Sequence, residues 1–450
     1  MSTSAPRPSA SLGLILFHAF ASAILMWCVW LLTHLPGVDV HPAFRASLML
    51  SVLIVTSGIA GRASHGRETR AFVLGAGIGT VTALLNLLIL GSELTEQPAT
   101  TDAVAPGLSG LRPELWIFVP GFVFFLSLLS GASALAARRL APRSGDEPTD
   151  WFGRFSLVHL AAFLPLLLIG SLVTTTDSGM AVPDWPNSYG ANMFLYPIAL
   201  MSDPSIFLEH THRLFGSLLG LTTLALAALA WLTRAPARSR TVALILFVAV
   251  CVQGYLGATR VLADVRGIGA VHGFLAHAIF AASAAFAAWL SPLHQALPRL
   301  TRANRPRVLV IATTAFLHTT LLQTLVGSFY RHLRLDESMG KGVGHILYMH
   351  IALALVVVVL GAMAGFRALA ASREAGNAPH ARPLARFGLA LVVCVILQFM
   401  LGWGAFFAIS EEGASWAPVI RTLHHANGAA LLGVAAGLVV RAKRVPKTTA

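Results

Sequence analysis

Twelve long apolar segments limit what this chain can fold into. Each is long enough to cross a bilayer core of about 30 Å as a helix. Hydrophobic residues make up 56% of the chain and charged residues only 11%, which excludes a soluble domain. The sequence therefore predicts an all-α polytopic membrane protein with twelve transmembrane helices, named spans one to twelve. Their approximate limits are 11–34, 44–61, 71–92, 115–138, 154–175, 207–232, 241–262, 270–291, 307–330, 345–369, 386–409 and 419–440.

Basic residues fall in every second loop between these spans. Arg62 and Arg70 lie between spans two and three, and Arg138 and Arg139 end span four. Positive residues accumulate in cytoplasmic loops, so these loops and both termini are predicted to be cytoplasmic. Orientation in a lipid membrane thus explains the net charge of +13, and no nucleic-acid partner is expected.

Four histidines lie near the starts of the even-numbered spans six, eight, ten and twelve. They are His212, His272, His350 and His424. Even-numbered spans all begin on the outer side, so the four imidazoles are predicted near the outer face at comparable depth. A neutral imidazole is a good iron ligand, and two helices can present one histidine each to opposite faces of a haem. Two such pairs would hold two haems.

Neighbouring histidines leave two of these choices open. His345 competes with His350, and His425 competes with His424. His350 is favoured because it aligns with His212 in the internal repeat. His424 is favoured because its spacing to Gly428 matches the spacing of His272 to Ala276. Any single histidine in a span can instead be a hydrogen-bonding contact between helices.

The second part of the chain contains an internal repeat. Gln253-Gly-Tyr-Leu-Gly257 in span seven matches Gln398-Phe-Met-Leu-Gly402 in span eleven. Spans five to eight and nine to twelve are therefore predicted to be two tandem four-helix bundles, preceded by four extra helices. The predicted regions are 1–150 (extra helices), 151–298 (first bundle) and 299–450 (second bundle).

The first turns of span six concentrate ionisable groups. Glu209, His212 and Arg213 lie there, and Glu209 and His212 share a helix face because they are three residues apart. Ionisable groups in a membrane helix are costly and indicate a functional site. The helix dipole also favours an acid in a first turn, so Glu209 has a structural interpretation too. Arg213 is expected to pair with Glu209 or with a haem propionate.

Five segments resemble one known family, haem A synthase. The resemblance covers about residues 154–440. The segments are Thr175-Thr-Asp-Ser-Gly-Met-Ala-Val-Pro-Asp-Trp-Pro186, Glu209-x-x-His-Arg213, Val252-Gln-Gly-Tyr-Leu-Gly257, His272-Gly-Phe-Leu-Ala276 and His424-His-Ala-Asn-Gly-Ala-Ala-Leu-Leu432.

The resemblance implies an activity and a set of site residues. Members of the family oxidise the methyl group of haem O to the formyl group of haem A, which terminal oxidases need. The second bundle is expected to hold haem b through His350 and His424, and the first to receive haem O near His212 and His272. Glu209 is expected beside the reacting methyl carbon, and electrons are expected to leave through haem b to an electron acceptor. The expected location is the bacterial cytoplasmic (inner) membrane.

Two features depart from the family. Spans one to four are additional, and their proposed role is to dock a partner such as a haem O-producing enzyme. Some members carry a cysteine pair in an outer loop, whereas the three cysteines here all lie within apolar segments. The four histidines alone also suit a second function, a non-catalytic di-haem membrane cytochrome or a haem carrier.

Overall fold

The computed structural model describes residues 8–64, 68–96, 110–140, 149–334, 337–411 and 413–446. Twelve helices in these ranges are long and apolar enough to cross a membrane, which confirms the predicted spans. They are α1 Pro8–Thr33, α2 Pro42–Ala63, α3 Glu68–Leu90, α4 Leu115–Leu140, α5 Trp151–Thr175, α6 Pro204–Leu232, α7 Ala237–Ala263, α8 Arg266–Leu290, α10 Arg307–Leu333, α11 Gly342–Glu374, α12 Ala381–Phe407 and α13 Trp416–Ala442. A short helix, α9 Pro292–Ala296, follows α8.

The helix ends lie within five residues of the predicted limits. The largest differences are at α11, which continues to Glu374, and at α12, which begins at Ala381. Hydropathy marks only the apolar part of a span, whereas the backbone hydrogen bonds continue through polar residues at its ends. At α6 the start is defined by side chains, because Asp203 accepts hydrogen bonds from the backbone of Ser205 and Ile206.

The chain divides into two compact units. The first comprises residues 1–169 and 177–247, and the second comprises residues 170–176 and 248–450. These limits do not follow the predicted boundaries at 150 and 298. The organisation into three regions stays a prediction.

In the first unit, aromatic side chains of α1 pack on α5 and α6. Trp27 meets Phe215 edge to face with ring centres 5.5 Å apart, and Phe20 meets Phe155 in the same way at 5.5 Å. Trp27, Phe155 and Phe215 are all fully buried. Such pairs contribute beyond the area that they bury. The first of the four additional helices is therefore part of the core of this unit.

Small residues let α2, α3 and α4 approach closely. Ser130 donates a hydrogen bond to the carbonyl of Gly75 (2.6 Å) and shares another with Ser57 (2.6 Å). A Cβ added at Gly75 would lie 2.6 Å from the carbonyl oxygen of Ser130, so only glycine permits this distance. Helices in lipid associate through such close packing and through hydrogen bonds between helices.

The second unit is built around α10 to α13. Phe316, Leu391 and Leu431 are fully buried at its centre. Helix α8 packs on α10, where Ser328 donates a hydrogen bond to the carbonyl of Ala270 (2.7 Å). Helix α8 also packs on α13, where Phe280 lies against Gly433.

The α1 contact gives a first prediction. Trp27→Ala removes a fully buried ring, and this loss should destabilise the folded protein by about 3–5 kcal/mol. Trp116→Ala is the matched control, because Trp116 is 88% exposed. Thermal unfolding in detergent is expected to show a clear loss for the first variant and little for the second. Equal stability of the two variants would show that α1 is not part of the core.

Candidate functional site

A tight hairpin orders the loop between α5 and α6. Strands β1 Asn187–Ser188 and β2 Ala191–Asn192 pair across Tyr189 and Gly190, whose φ angles are 49° and 79°. Two positive φ angles in a two-residue turn are typical of type I′, which suits the twist of a hairpin. Asp184 accepts hydrogen bonds from both turn amides at 2.8 Å. The loop therefore has a defined shape.

Glu209 and Arg213 fasten this loop to the first turns of α6. Arg213 donates through Nη1 to the carbonyls of Asp184 (2.6 Å) and Asn187 (3.0 Å), and through Nη2 to the carbonyl of Val182 (2.8 Å). Its Nη2 also pairs with Glu209 Oε1 at 2.6 Å, while Glu209 Oε2 accepts from the Val182 amide at 2.8 Å. The two side chains are only 8% and 4% exposed. A buried charge pair is tolerated when further hydrogen bonds satisfy it, as here.

Further contacts pack the loop against the same helix. His210 shares a hydrogen bond with Ser188 (3.1 Å), and its ring lies 5.0 Å from that of Tyr196. The Tyr189 hydroxyl donates to the carbonyl of Ala181. Burial, with help from nearby carboxylates, raises the pKa of Tyr189, so this hydroxyl stays protonated and remains a donor.

The predicted substrate-side residues thus have definite positions. Both oxygens of Glu209 are engaged by the loop anchor, which holds the carboxylate in one orientation. Arg213 pairs with Glu209, one of its two expected partners. His212 lies on α6 in the first unit, and His272 lies on α8 in the second unit. The catalytic role of Glu209 and the pairing of the two histidines stay predictions.

In the second unit, the rings of His350 and His424 face each other. Their ring centres are 6.3 Å apart and their planes are inclined by 71°. A metal–imidazole bond of about 2 Å, with roughly 1 Å more to each ring centre, places two opposed ligands roughly 6 Å apart. The separation therefore fits two axial ligands of one haem iron.

The composition of this site also fits a haem. Among the described residues, no three His, Cys, Asp or Glu side chains are grouped so that they could hold a metal ion. A haem needs only two protein ligands, because the porphyrin supplies the other four. His350 and His424 supply that number.

A hydrogen bond gives His272 the tautomer that an iron ligand needs. Its Nδ1 lies 3.1 Å from the carbonyl oxygen of Gln253, so Nδ1 carries the proton and donates it. The lone pair of Nε2 is then available to a metal.

The competing histidines have other surroundings. His345 is exposed on the first turns of α11. His277 donates from Nδ1 to the carbonyl of Gly273 (2.8 Å) and also hydrogen bonds with the backbone of His425, so it joins α8 to α13. The structure brings His350 and His424 together, which supports their choice over His345 and His425.

Sequence reasoning missed three polar residues around these histidines. Gln323 and Gln398 contact the rings of His350 and His424, and Asn427 donates to the side-chain oxygen of Gln398 (2.8 Å). The signal for Gln323 was present, because Gln323 and Gly327 have the spacing of the repeated Gln and Gly in spans seven and eleven. Asn427 has no counterpart in the repeat, but it lies within the segment from His424 to Leu432 that resembles a known family.

Comparisons with known proteins match the part of the chain that contains the anchored loop and α6. Residues 153–336 match the model of a family described as cytochrome oxidase assembly protein (COX15-CtaA). This match includes α5 to α8 and α10, and it leaves residues 1–152 and 337–450 outside it, so His350 and His424 are not part of it. A haem A synthase of Chelativorans sp. (strain BNC1) is 33% identical over 143 residues, which are 30% of this chain. The chain spans 39% of the length of that relative.

The loop anchor gives a second prediction. Arg213→Lys keeps the charge but loses the planar fork, so at least one charged hydrogen bond worth about 1.5–3 kcal/mol is lost. Hydrogen exchange of the amides in residues 178–196 should become at least about tenfold faster, because 1.4 kcal/mol corresponds to a factor of ten.

Arg260→Lys is the control for this measurement. Arg260 pairs with Asp264 at the same i,i+4 spacing, but the side chain of Asp264 is 73% exposed. Exposed pairs contribute little. Unchanged exchange of residues 178–196 in Arg213→Lys would show that Arg213 does not hold the loop.

Proposed function

We propose that this chain, whose residues 153–336 match the model of the family described as cytochrome oxidase assembly protein (COX15-CtaA), is a haem A synthase. It oxidises the methyl group of haem O to the formyl group of haem A for the assembly of terminal oxidases. The similarity to the haem A synthase of Chelativorans sp. supports this activity. The enzyme works as a multi-pass protein of the bacterial cytoplasmic membrane, with both termini in the cytoplasm and its haem sites near the outer face.

The observation that carries the proposal is the anchored loop on α6. The buried ion pair between Glu209 and Arg213 holds this loop on α6. His212 lies between these two residues in the sequence of the same helix. A cytochrome that only transfers electrons needs histidines but has no use for a fixed carboxylate and a shaped loop. An enzyme that must orient a substrate methyl group needs both.

In the proposed enzyme, His350 and His424 hold haem b. A bound haem supplies electron-transfer chemistry, while the protein positions it and tunes it. The ring centres of the two histidines are 6.3 Å apart, so both could hold one haem iron between them.

The substrate side is proposed to use His212 and His272 as ligands of haem O. The Nδ1–H of His272 is held by the carbonyl of Gln253, which presents Nε2 as the binding atom. Glu209 is proposed to lie beside the reacting methyl group, with its orientation held by Arg213 and by the Val182 amide. The oxidation also needs an electron-accepting partner, and a haem O-producing enzyme is the proposed source of substrate.

A di-haem cytochrome or haem carrier is the second candidate. One observation favours it, since His272 has the same kind of glutamine partner as His350. In that case, His212 and His272 would hold a second permanent haem b.

The product of the reaction distinguishes the two functions. We expect membranes from cells that express this chain with a source of haem O to contain haem A, identified by chromatography and mass detection. A matched strain with the empty vector should contain none. Two haem b per chain with unchanged haem O would contradict the enzyme and support the cytochrome.

Glu209→Gln tests the catalytic carboxylate. The amide keeps the size of the side chain and an oxygen that can accept from Val182, but Arg213 loses its charged partner, so the loop is expected to loosen. The haem b content should be retained, because its proposed ligands lie in the second unit. Haem A output should fall by at least about a hundredfold, the range for loss of a positioned acid or base. Glu68→Gln is the control, because Glu68 pairs with Arg139 on the surface. Normal haem A output from Glu209→Gln would remove Glu209 from the mechanism.

A further inference from the structure

Three histidines of the second unit face the same pair of residues on the preceding helix. In each case a glutamine is followed four residues later by a glycine, so both lie on one helix face. The three sets are Gln253 and Gly257 opposite His272, Gln323 and Gly327 opposite His350, and Gln398 and Gly402 opposite His424. We call each set a Gln–Gly cradle.

The glycine of each cradle makes room for the imidazole. A Cβ added at Gly327 would lie 2.7 Å from Cε1 of His350, and one at Gly257 would lie 3.0 Å from Cε1 of His272. At Gly402 the corresponding distance to His424 is 3.4 Å. Each ring therefore lies against the backbone of the preceding helix, most tightly at Gly327 and least tightly at Gly402.

The glutamine of each cradle holds the histidine by hydrogen bonds. Nε2 of Gln253 donates to the backbone carbonyl of His272 (2.8 Å), and Nε2 of Gln323 donates to that of His350 (2.9 Å). In these two cradles the amide fixes the helix segment that carries the ring.

The third cradle uses the same amide differently. Nε2 of Gln398 lies 3.2 Å and 3.3 Å from the two ring nitrogens of His424. Asn427 donates to Oε1 of Gln398 at 2.8 Å, which fixes the amide and directs its N–H groups to the ring. Gln323 also contacts a ring nitrogen, Nε2 of His350, at 3.3 Å, whereas Gln398 lies close to both nitrogens of its histidine.

We propose that Gln253, Gln323 and Gln398 are positioning residues that hold their histidines for haem. The proposal rests on the proposed function for the identity of the haem that His350 and His424 hold. Both histidines of that pair have a cradle, so haem b is retained.

The physical basis is the cost of orienting a ligand. A side chain that is held by neighbours before binding loses less freedom when the metal binds. Loss of a neighbour that orients a metal ligand typically reduces metal affinity about 10- to 100-fold. Leucine variants of the haem b cradles should therefore release haem b at least about tenfold faster.

The test uses the purified full-length protein and measures haem b content, haem b dissociation and the reduction potential. Gln323→Leu and Gln398→Leu are expected to lose haem b faster and to shift the potential of what remains. Gln398→Glu keeps the size but adds a carboxylate, which favours ferric iron, so its potential should fall. Gln295→Leu is the control, because Gln295 is exposed and donates only to the Trp289 carbonyl.

The glycines provide a graded comparison at one haem. Gly327→Ala should impair haem b binding strongly, whereas Gly402→Ala should have a small effect, because the two Cβ contacts would be 2.7 Å and 3.4 Å.

These readouts do not depend on haem A production, so they separate this proposal from the proposed function. Unchanged dissociation and potential in Gln323→Leu and Gln398→Leu would overturn the positioning role. Equal effects of Gly327→Ala and Gly402→Ala would overturn the packing argument.

Discussion

The structure depends on close approach between helix backbones at glycine and other small residues. In lipid, apolar side chains gain little by leaving the solvent, so helices associate through packing and internal hydrogen bonds. In the first unit this principle joins α3 and α4, where Gly75 meets the backbone of Ser130. In the second unit it serves the site, because Gly327 and Gly402 let the rings of His350 and His424 lie against the preceding helices.

A second constraint acts where a charge is buried. Arg213 is 8% exposed and Glu209 4% exposed, and such charges are stable only when they are paired and hydrogen-bonded. The loop between α5 and α6 supplies the remaining partners through the backbone of Val182, Asp184 and Asn187. Loop and ion pair thus require each other, and the same contacts orient the carboxylate that the proposed reaction uses.

The sequence predicted the spans well because bilayer thickness requires apolar segments of a minimum length. The repeat also favoured His350 and His424 as a pair of ligands, and the structure brings these two rings together. The hairpin at Tyr189 and Gly190 could not be predicted from the sequence, because a type I′ turn with a tyrosine carries no strong sequence signal. The packing of Trp27 on Phe215 could not be predicted either, because the sequence of a membrane helix does not show whether lipid or protein covers an apolar face. Asn427 reaches the site through its hydrogen bond to Gln398, a contact that exists only in the folded protein.

Electron paramagnetic resonance of the oxidised protein, purified from cells that lack haem O, tests the central claim most directly. Two imidazole ligands whose planes are inclined by 71° should give one low-spin ferric haem per chain with strongly anisotropic g values. A high-spin signal would mean that only one histidine binds the iron. Purified protein without haem would mean that the facing rings of His350 and His424 are not a haem site.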